Sequence, residues 1–246
     1  MEENRPLFSI IIPTYDRPLR LESCLQSLTR LHYPRDRFEV IVVDDGSNTP
    51  PEAVVNVFSD QLDIKLFTQA NAGPASARNS GFSLAKGEFL AFIDDDCTPA
   101  PDWLQTLAVR FASKPEHAIG GRTVNALPDN TYSTASQMLT DYLYTYYNAY
   151  HPQGRFFTSN NLAMPVGQFN MMGGFDTTIP CARGERTAIS VIAGCTMATR
   201  DDLRPRNSGL SCPFVDTAHF LATALQLWPR RFLLPSGAYP TRPRTH

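Results

Sequence analysis

Short apolar runs and segments of helical periodicity alternate along the first half of the chain. Several runs are continuously apolar and rich in β-branched residues, which is typical of strands buried on both faces of a sheet. Between them, apolar residues recur at the spacing of one helix face, as at Leu21, Cys24, Leu25 and Leu28. The predicted strands are residues 8–12, 38–43, 64–67, 89–93 and 118–124, and the predicted helices are residues 19–31, 74–85 and 102–111.

The alternation of strands and helices predicts an α/β fold, with a mostly parallel sheet covered by helices on both faces. The chain has 246 residues, 42% of them apolar, which is enough for one sizeable core. Sheets of this kind bind ligands in the crevice outside the carboxyl ends of their strands. Because polar residues follow three of the predicted strands, the candidate chemistry collects at that edge.

Acidic residues follow two of the predicted strands. Asp94, Asp95 and Asp96 (the Asp triplet) come directly after the fourth strand, and Asp44 and Asp45 close the second. Adjacent carboxylates repel one another unless water, donors or a cation compensate them. Mg²⁺ or Mn²⁺, completed by substrate phosphates, is a natural partner. The structural alternative is a pair of solvated turns, with an acid capping the next helix and a glycine at positive φ.

A segment of small residues, 71–81 (NAGPASARNSG), lies between the two acidic groups. Its small side chains allow a helix to approach the sheet closely. Arg78 offers a fixed fork of donors that suits a phosphate or a carboxylate. It also suits a purely structural role, in which the guanidinium neutralises the acids. These two interpretations are compatible.

Taken together, these segments resemble the inverting GT-A glycosyltransferases of family 2. Each segment alone is weakly specific, but their order and spacing over residues 7–185 are those of the family. The matching segments are residues 8–17 (FSIIIPTYDR), 42–47 (VVDDGS), 71–81 (NAGPASARNSG), 89–102 (FLAFIDDDCTPAPD), 158–164 (TSNNLAM) and 173–176 (GGFD).

The resemblance implies a GT-A, Rossmann-like domain that transfers a sugar from a nucleotide-diphosphate sugar to an acceptor hydroxyl with inversion. A UDP-sugar is preferred to a GDP-sugar, and Mn²⁺ or Mg²⁺ assists. The substrate-binding residues it implies are Pro13, Thr14 and Tyr15 around the base, Asp45 on the nucleobase, Asn71 and Arg78 nearby, and Asp94 or Asp95 on the ribose. Asp94 and Asp96 would hold the metal.

The match breaks at the position of the general base. In the family, a Gly-Glu-Asp sequence follows Gly-Gly-Phe-Asp after some ten residues, and its Asp is the base. Here Gly184 and Glu185 are followed by Arg186, and nothing after them resembles the family. Either the base is replaced by Glu185 in a divergent C-terminus, or the reading frame shifts there.

The reading-frame hypothesis can be tested against plausible codons. Residues 185–194 (ERTAISVIAG) can be written GAG AGG ACC GCG ATT TCT GTG ATC GCT GGN. Read two nucleotides later after GAG, the string encodes Asp-Arg-Asp-Phe-Cys-Asp-Arg-Trp, the helix that the family places there. We therefore predict a catalytic domain at residues 1–185 and an atypical, frameshifted and poorly ordered segment at residues 186–246.

The distribution of charge agrees with that division. Residues 1–181 hold 13 Lys and Arg and 20 Asp and Glu, whereas residues 182–246 hold 9 Arg, no Lys and 4 acids. The net charge of −2 therefore combines an acidic part with a basic one, and nucleic acid is not an expected partner. A chain without the base suggests the alternative function, a catalytically impaired nucleotide-sugar-binding protein.

The remaining features bear on location and on the acceptor. No apolar run approaches the ~20 residues of a membrane span, and the N-terminus does not resemble a signal peptide. Five cysteines without a CxxC pair indicate free thiols in a reducing compartment. We expect a cytoplasmic protein, with peripheral contact at the inner membrane face as an option, and a glycan, lipid or small molecule as acceptor. Five tyrosines between Tyr142 and Tyr150 form either helix packing or a sugar-stacking wall.

Overall fold

The computed structural model describes residues 5–148 and 156–178. Within these residues, six strands alternate with six α-helices along the chain, and a short 3-10 helix at Arg35–Arg37 precedes the second strand. The strands are β1 (Phe8–Thr14), β2 (Phe38–Asp44), β3 (Ile64–Thr68), β4 (Phe89–Ile93), β5 (Ile119–Gly120) and β6 (Asn161–Pro165). The helices are α1 (Pro18–Leu28), α2 (Glu52–Val57), α3 (Pro74–Ser83), α4 (Trp103–Ser113), α5 (Thr131–Asn148) and α6 (Val166–Met171).

The strands form one sheet in the order β3-β2-β1-β4-β6-β5. Strands β1 to β4 are mutually parallel, whereas β6 is antiparallel to both of its neighbours. The sheet is therefore mostly parallel, as predicted. The carboxyl ends of β1, β2 and β4 lie side by side, since these three strands are adjacent.

Helices cover both faces of the sheet. On one face Ile10 and Ile12 pack in a core with the buried sides of α1 and α4. On the other face Ile11 packs in a second core with α3 and α6. A Cβ added to Gly81 would lie 2.5 Å from Cγ2 of Ile11. The small residues of α3 thus let its backbone lie directly against the sheet.

The structure differs from the sequence prediction mainly in its second half. Strand β6 was not predicted, although its residues belong to a segment quoted for the family resemblance. The predicted strand at residues 118–124 is reduced to Ile119–Gly120, the two residues that pair with β6, and one further hydrogen bond, from Gly121 N to Asn161 O at 2.8 Å, follows them. The short helices α2 and α6 were also missed, since six residues carry little periodicity.

Across residues 5–148 and 156–178, no helix combines the length and the apolar character needed to cross a bilayer. A cytoplasmic location and peripheral membrane contact stay predictions. The predicted segment at residues 186–246 lies outside the described residues.

Candidate active site

The two acidic groups meet at one edge of the sheet, as the sequence predicts. Thr14, the last residue of β1, stands opposite Asp44 in the β1–β2 register. Its carbonyl accepts a hydrogen bond from Asp45 N at 2.9 Å, and its hydroxyl donates to Asp95 Oδ2 at 2.8 Å. One residue therefore connects the acids that follow β2 to those that follow β4.

Asp45 organises the loop that precedes α3. Its buried carboxylate accepts hydrogen bonds from Ala72 N at 2.9 Å, Gly73 N at 2.8 Å and Gln69 Nε2 at 2.8 Å. The next residue, Gly46, has a φ of 79°, and a Cβ there would lie 2.8 Å from Asn71 N. The predicted glycine at positive φ is thus present, and it allows the two loops to touch.

The Asp triplet presents its carboxylates to two different environments. The side chain of Asp95 is 4% exposed, whereas those of Asp94 and Asp96 are 28% and 32% exposed. Asp95 therefore points into the protein, and its two neighbours reach the crevice at the strand ends. This alternation separates one structural carboxylate from two that a ligand can contact.

Three arginines compensate the triplet. Arg78 Nη2 donates to Asp94 Oδ1 at 2.5 Å, and Arg20 Nη1 donates to Asp96 Oδ2 at 3.0 Å. Arg17 Nη1 lies 3.2 Å from Asp95 Oδ1 and 3.8 Å from Asp96 Oδ2. Of the three, only Arg78 was predicted from the sequence. Arg17 lies within the first quoted segment, immediately before α1, and Arg20 lies three residues later in the first turn of that helix.

Arg78 also connects the triplet to the segment at residues 173–176. It is 1% exposed, and its guanidinium carbon lies 5.6 Å from the centre of the Phe175 ring. The neighbouring Asn79 exchanges two hydrogen bonds with the backbone of Phe175, Nδ2 to O at 2.9 Å and N to Oδ1 at 2.8 Å. Consecutive residues of α3 thus fix this segment beside the acids.

The other predicted site residues lie around the same crevice. Pro13 is buried in β1, Tyr15 is 44% exposed, and Asn71 is exposed in the loop that Asp45 holds. Asp16, with a φ of 52°, accepts hydrogen bonds from Asn48 N at 2.7 Å and Asn48 Nδ2 at 2.6 Å. The loop that carries Tyr15 is therefore tied to the loop after β2. Glu185, the predicted catalytic residue, lies outside the described residues.

Burial makes the carboxyl group of Asp95 a weaker acid than an ordinary aspartate. Desolvation raises the pKa of Asp95 to about 6, against the lowering effect of the Thr14 hydrogen bond and of Arg17, and the charges of Asp96 and Asp94 raise it further. The folded chain thus binds this proton more tightly than the unfolded chain, whose ordinary value is 3.8. Ionised Asp95 opposes folding above about pH 6, and this cost disappears as the pH falls towards 4.

We expect Asp95→Asn to stabilise the metal-free protein at pH 8 by about 1–3 kcal/mol, because it removes the cost of a buried charge that a shift of two pKa units represents. The gain should shrink as the pH falls from about 6 to about 4. Urea unfolding of both proteins in EDTA, over that pH range, measures it. Asp60→Asn, at an exposed position, is the control and should change nothing; an equal gain at all pH values would contradict the assignment.

The donor set fits a small divalent cation held jointly with a phosphate. Across residues 5–148 and 156–178, no three His, Cys, Asp or Glu side chains gather into a cage. Mg²⁺ and Mn²⁺ sites of this kind need only one or two carboxylates, with substrate phosphates completing the shell. Asp94 and Asp96 supply two partly exposed carboxylates. Burial raises the pKa of the nearby Cys97 to about 12, so no thiolate competes.

Comparison with known proteins supports the same interpretation. The sequence model of glycosyl transferase family 2 matches residues 9–173. The glycosyltransferase AglE of Haloferax volcanii is 33% identical over 132 residues, which are 52% of this chain and 43% of AglE. Validoxylamine A glucosyltransferase of Streptomyces hygroscopicus is 34% identical over 140 residues, 56% of this chain and 33% of that protein. The chain thus spans less than half the length of these curated relatives.

Solved structures confirm the predicted GT-A fold. The mannosyltransferase PcManGT of Pyrobaculum calidifontis, in complex with GDP-Man and Mn²⁺, superposes with a TM-score of 0.57 and 25% identity over 70% of this chain and 48% of that one. TarS of S. aureus, in complex with UDP, gives a TM-score of 0.55 at 21% identity over 72% of this chain and 52% of that one, a likeness of fold alone. The match to the family model covers about two thirds of the residues of the present chain. The chain therefore belongs to glycosyl transferase family 2.

Proposed function

We propose that this chain transfers a sugar from a nucleotide-diphosphate sugar to an acceptor hydroxyl, with a divalent metal and with inversion at the anomeric carbon. One observation carries the proposal. Asp94 and Asp96 present partly exposed carboxylates at the carboxyl end of β4, beside a loop held rigidly by Asp45. Two such carboxylates would hold a divalent metal, which would stabilise the charge of a diphosphate bound at this edge.

The donor would lie along the ends of β2, β1 and β4. Tyr15, exposed and fixed by its loop, is suited to stack on the base, and the backbone of the loop held by Asp45 would border it. Asp45 itself would contact the nucleobase, with Asn71 on the rim. Of the two acids predicted for the ribose, Asp94 would meet it, because Asp95 is buried against Thr14 and Arg17. This arrangement uses the strand ends in the order in which they lie in the sheet.

Asp94 and Asp96 would hold Mn²⁺ or Mg²⁺. When bound, the metal supplies charge stabilisation for the diphosphate as the glycosidic bond breaks. Arg78 and Arg20 neutralise the same carboxylates in the structure. Both arginines thereby hold the carboxylates in place, and the exposed Arg20 would also be able to contact a phosphate oxygen, since guanidinium groups suit both anions.

Inversion requires a base on the acceptor side. The acceptor oxygen forms the new bond to the anomeric carbon, its proton passes to a carboxylate, and the nucleoside diphosphate leaves with the bonding electrons. The position that the family resemblance assigns to this role holds Arg186, and Glu185, the residue before it, is the carboxylate that would replace the base in a divergent C-terminus. The segment at residues 173–176, which precedes it by about ten residues, is fixed next to the Asp triplet by Asn79.

A second candidate function follows from Arg186. If an arginine stands where the base belongs, the chain binds the donor without transferring the sugar at a useful rate, as a nucleotide-sugar-binding protein. Loss of a general base lowers rates by about 10²–10⁴, while nothing in the donor site of β1, β2 and β4 is altered. The two functions therefore share a binding site and differ in turnover.

Isothermal titration with UDP and with GDP, each with Mn²⁺ and with EDTA, tests the shared site. We expect UDP to bind more tightly than GDP and the metal to strengthen binding. Release of the nucleotide from a panel of UDP- and GDP-sugars then separates the two functions, because binding without release indicates the impaired protein. The absence of metal-dependent binding of either nucleotide would refute both.

A further inference from the structure

A cleft of about 290 Å³ lies between α5 and the segment that follows β5. This volume is close to the lower end of the range for small-molecule sites, about 300 Å³. None of the lining residues belongs to the segments that carry the family resemblance. They are Arg122, Thr123, Thr140, Asp141, Tyr144 and Thr145.

The topology places this cleft at the edge of the candidate active site. Since β6 is antiparallel to β4 and to β5, the strand β5 runs parallel to β4. Its carboxyl end therefore opens on the same edge as the Asp triplet. Two strand spacings of about 4.8 Å separate β4 from β5, so the carboxyl ends of these two strands lie about 10 Å apart. The cleft after β5 therefore lies beside the candidate donor site.

Hydrogen bonds hold both walls of the cleft in place. Tyr144 Oη lies 3.1 Å from Thr158 Oγ1 and 3.4 Å from Gly121 O. Gln137 Nε2 donates to Thr123 O at 3.1 Å and to Asp141 Oδ1 at 3.0 Å. The helix and the segment after β5 are therefore cross-linked along the length of the cleft, which gives a ligand a preformed surface.

The cleft offers both donors and acceptors of hydrogen bonds. Within residues 5–148 and 156–178, the exposed guanidinium of Arg122 makes no hydrogen bond or ion pair, and Asp141 uses one oxygen for Gln137. The hydroxyls of Thr140 and Thr145 donate to helix carbonyls at 3.1 Å and 2.8 Å, which leaves their oxygens as acceptors. Opposite charges, hydroxyl groups and the Tyr144 ring together suit a compact ring with many hydroxyls.

We propose that this cleft binds the acceptor, and that the acceptor's binding unit is a neutral sugar. This inference rests on the proposed function. Sugar hydroxyls both donate and accept, so one ring can engage Asp141 and Arg122 together. An anionic unit would pair with Arg122 but be repelled by the carboxylate of Asp141, whereas a neutral ring can bond to both. An apolar lipid chain would bury both charged groups without compensation, which is costly.

Saturation-transfer NMR on the full chain, with and without UDP and Mn²⁺, tests the cleft with the methyl glycosides of glucose, galactose and N-acetylglucosamine, and with glucose 6-phosphate. We expect at least one methyl glycoside to bind in the millimolar range. Asp141→Asn and Arg122→Gln should each weaken it by about tenfold, as expected for a hydrogen bond to a charged group. Asp129→Asn and Arg110→Gln, exposed positions outside the cleft, are the matched controls and should leave it unchanged.

Three results would overturn the inference: no glycoside binds, binding persists in both cleft variants, or glucose 6-phosphate binds more tightly than the glycosides. Titration of UDP into the same samples keeps this test apart from the proposed function. If UDP binds but no glycoside does, only the proposal for the cleft fails. If UDP does not bind, the proposed donor site fails. Circular dichroism of each variant identifies any that fail to fold, and Arg122, being exposed, provides the variant least able to disturb folding.

Discussion

Asp96→Asn is expected to abolish the metal dependence of nucleotide binding and to lower sugar transfer by about 10²–10³, the range for losing one group that stabilises developing charge. The fold should survive, because Asp96 and its partner Arg20 are 32% and 41% exposed, and such surface pairs contribute about 0–1 kcal/mol. Titration of UDP with Mn²⁺ and with EDTA measures the first effect, and nucleotide release from the best donor measures the second.

The matched control for Asp96→Asn is Asp60→Asn, which removes a carboxylate at an exposed position far along the chain from the triplet. It should leave the metal dependence intact. If the affinity of Asp96→Asn for UDP still differed between Mn²⁺ and EDTA as much as that of the parent chain does, this carboxylate would not hold the metal. Because the binding readout does not require turnover, it decides the metal assignment even in a chain that transfers no sugar.

Much of the donor half could be predicted because its signals are local in sequence. Strands β1, β2 and β4 are buried, so each appears as a mostly apolar run, whereas the edge strand β3 is only partly buried. In a parallel sheet the acids that follow β2 and β4 lie at the same edge. The roles of Asp45 and Asp95 were less accessible. Their carboxylates face loop amides, Thr14 and Arg17, contacts that depend on how loops from distant parts of the chain approach one another.

The acceptor half was harder to predict for a physical reason. Strand β6 lies between β4 and β5 but follows α5 in the chain, so its position depends on pairing rather than on local pattern. The tyrosines of α5 show the same ambiguity: Tyr142 and Tyr146 are exposed and stack on each other at 5.9 Å, whereas Tyr147 stacks on Phe156 at 5.5 Å. Helix packing is therefore present at Tyr147, and a sugar-stacking role for the exposed Tyr142 and Tyr146 stays a prediction.

These differences change how the candidate site is understood. Sequence reasoning placed the chemistry on the acids and one arginine, whereas the structure surrounds the Asp triplet with Arg17, Arg20 and Arg78. Three guanidinium groups contact the three adjacent carboxylates at this strand end. The acidic total of residues 1–181 therefore does not describe the surroundings of the Asp triplet, where each carboxylate has an arginine beside it.

Restoring the family's reading frame is expected to raise sugar transfer by about 10²–10⁴, the contribution of a general base. Deleting the two nucleotides that follow codon 185 would place Asp directly after Glu185 and restore the downstream frame of the helix. Binding of the nucleotide-sugar donor should not change. All the residues proposed to bind the donor, including Arg78 and the Asp triplet, precede the deletion in the chain. Nucleotide release from the best donor, compared between the two chains, measures the gain.

Arg186→Asp, made in the existing frame, separates the base from the rest of the restored segment. If the base alone limits the reaction, this variant should recover part of the gain, whereas a need for the whole helix would leave it as slow as the parent chain. The gene sequence across codons 180–190 provides the independent check. Two results would show that the C-terminus is a true divergence: codons whose shifted frame gives no Asp after Glu185, or equal turnover in the parent and frame-restored chains. Glu185→Gln would then be the next variant to assay.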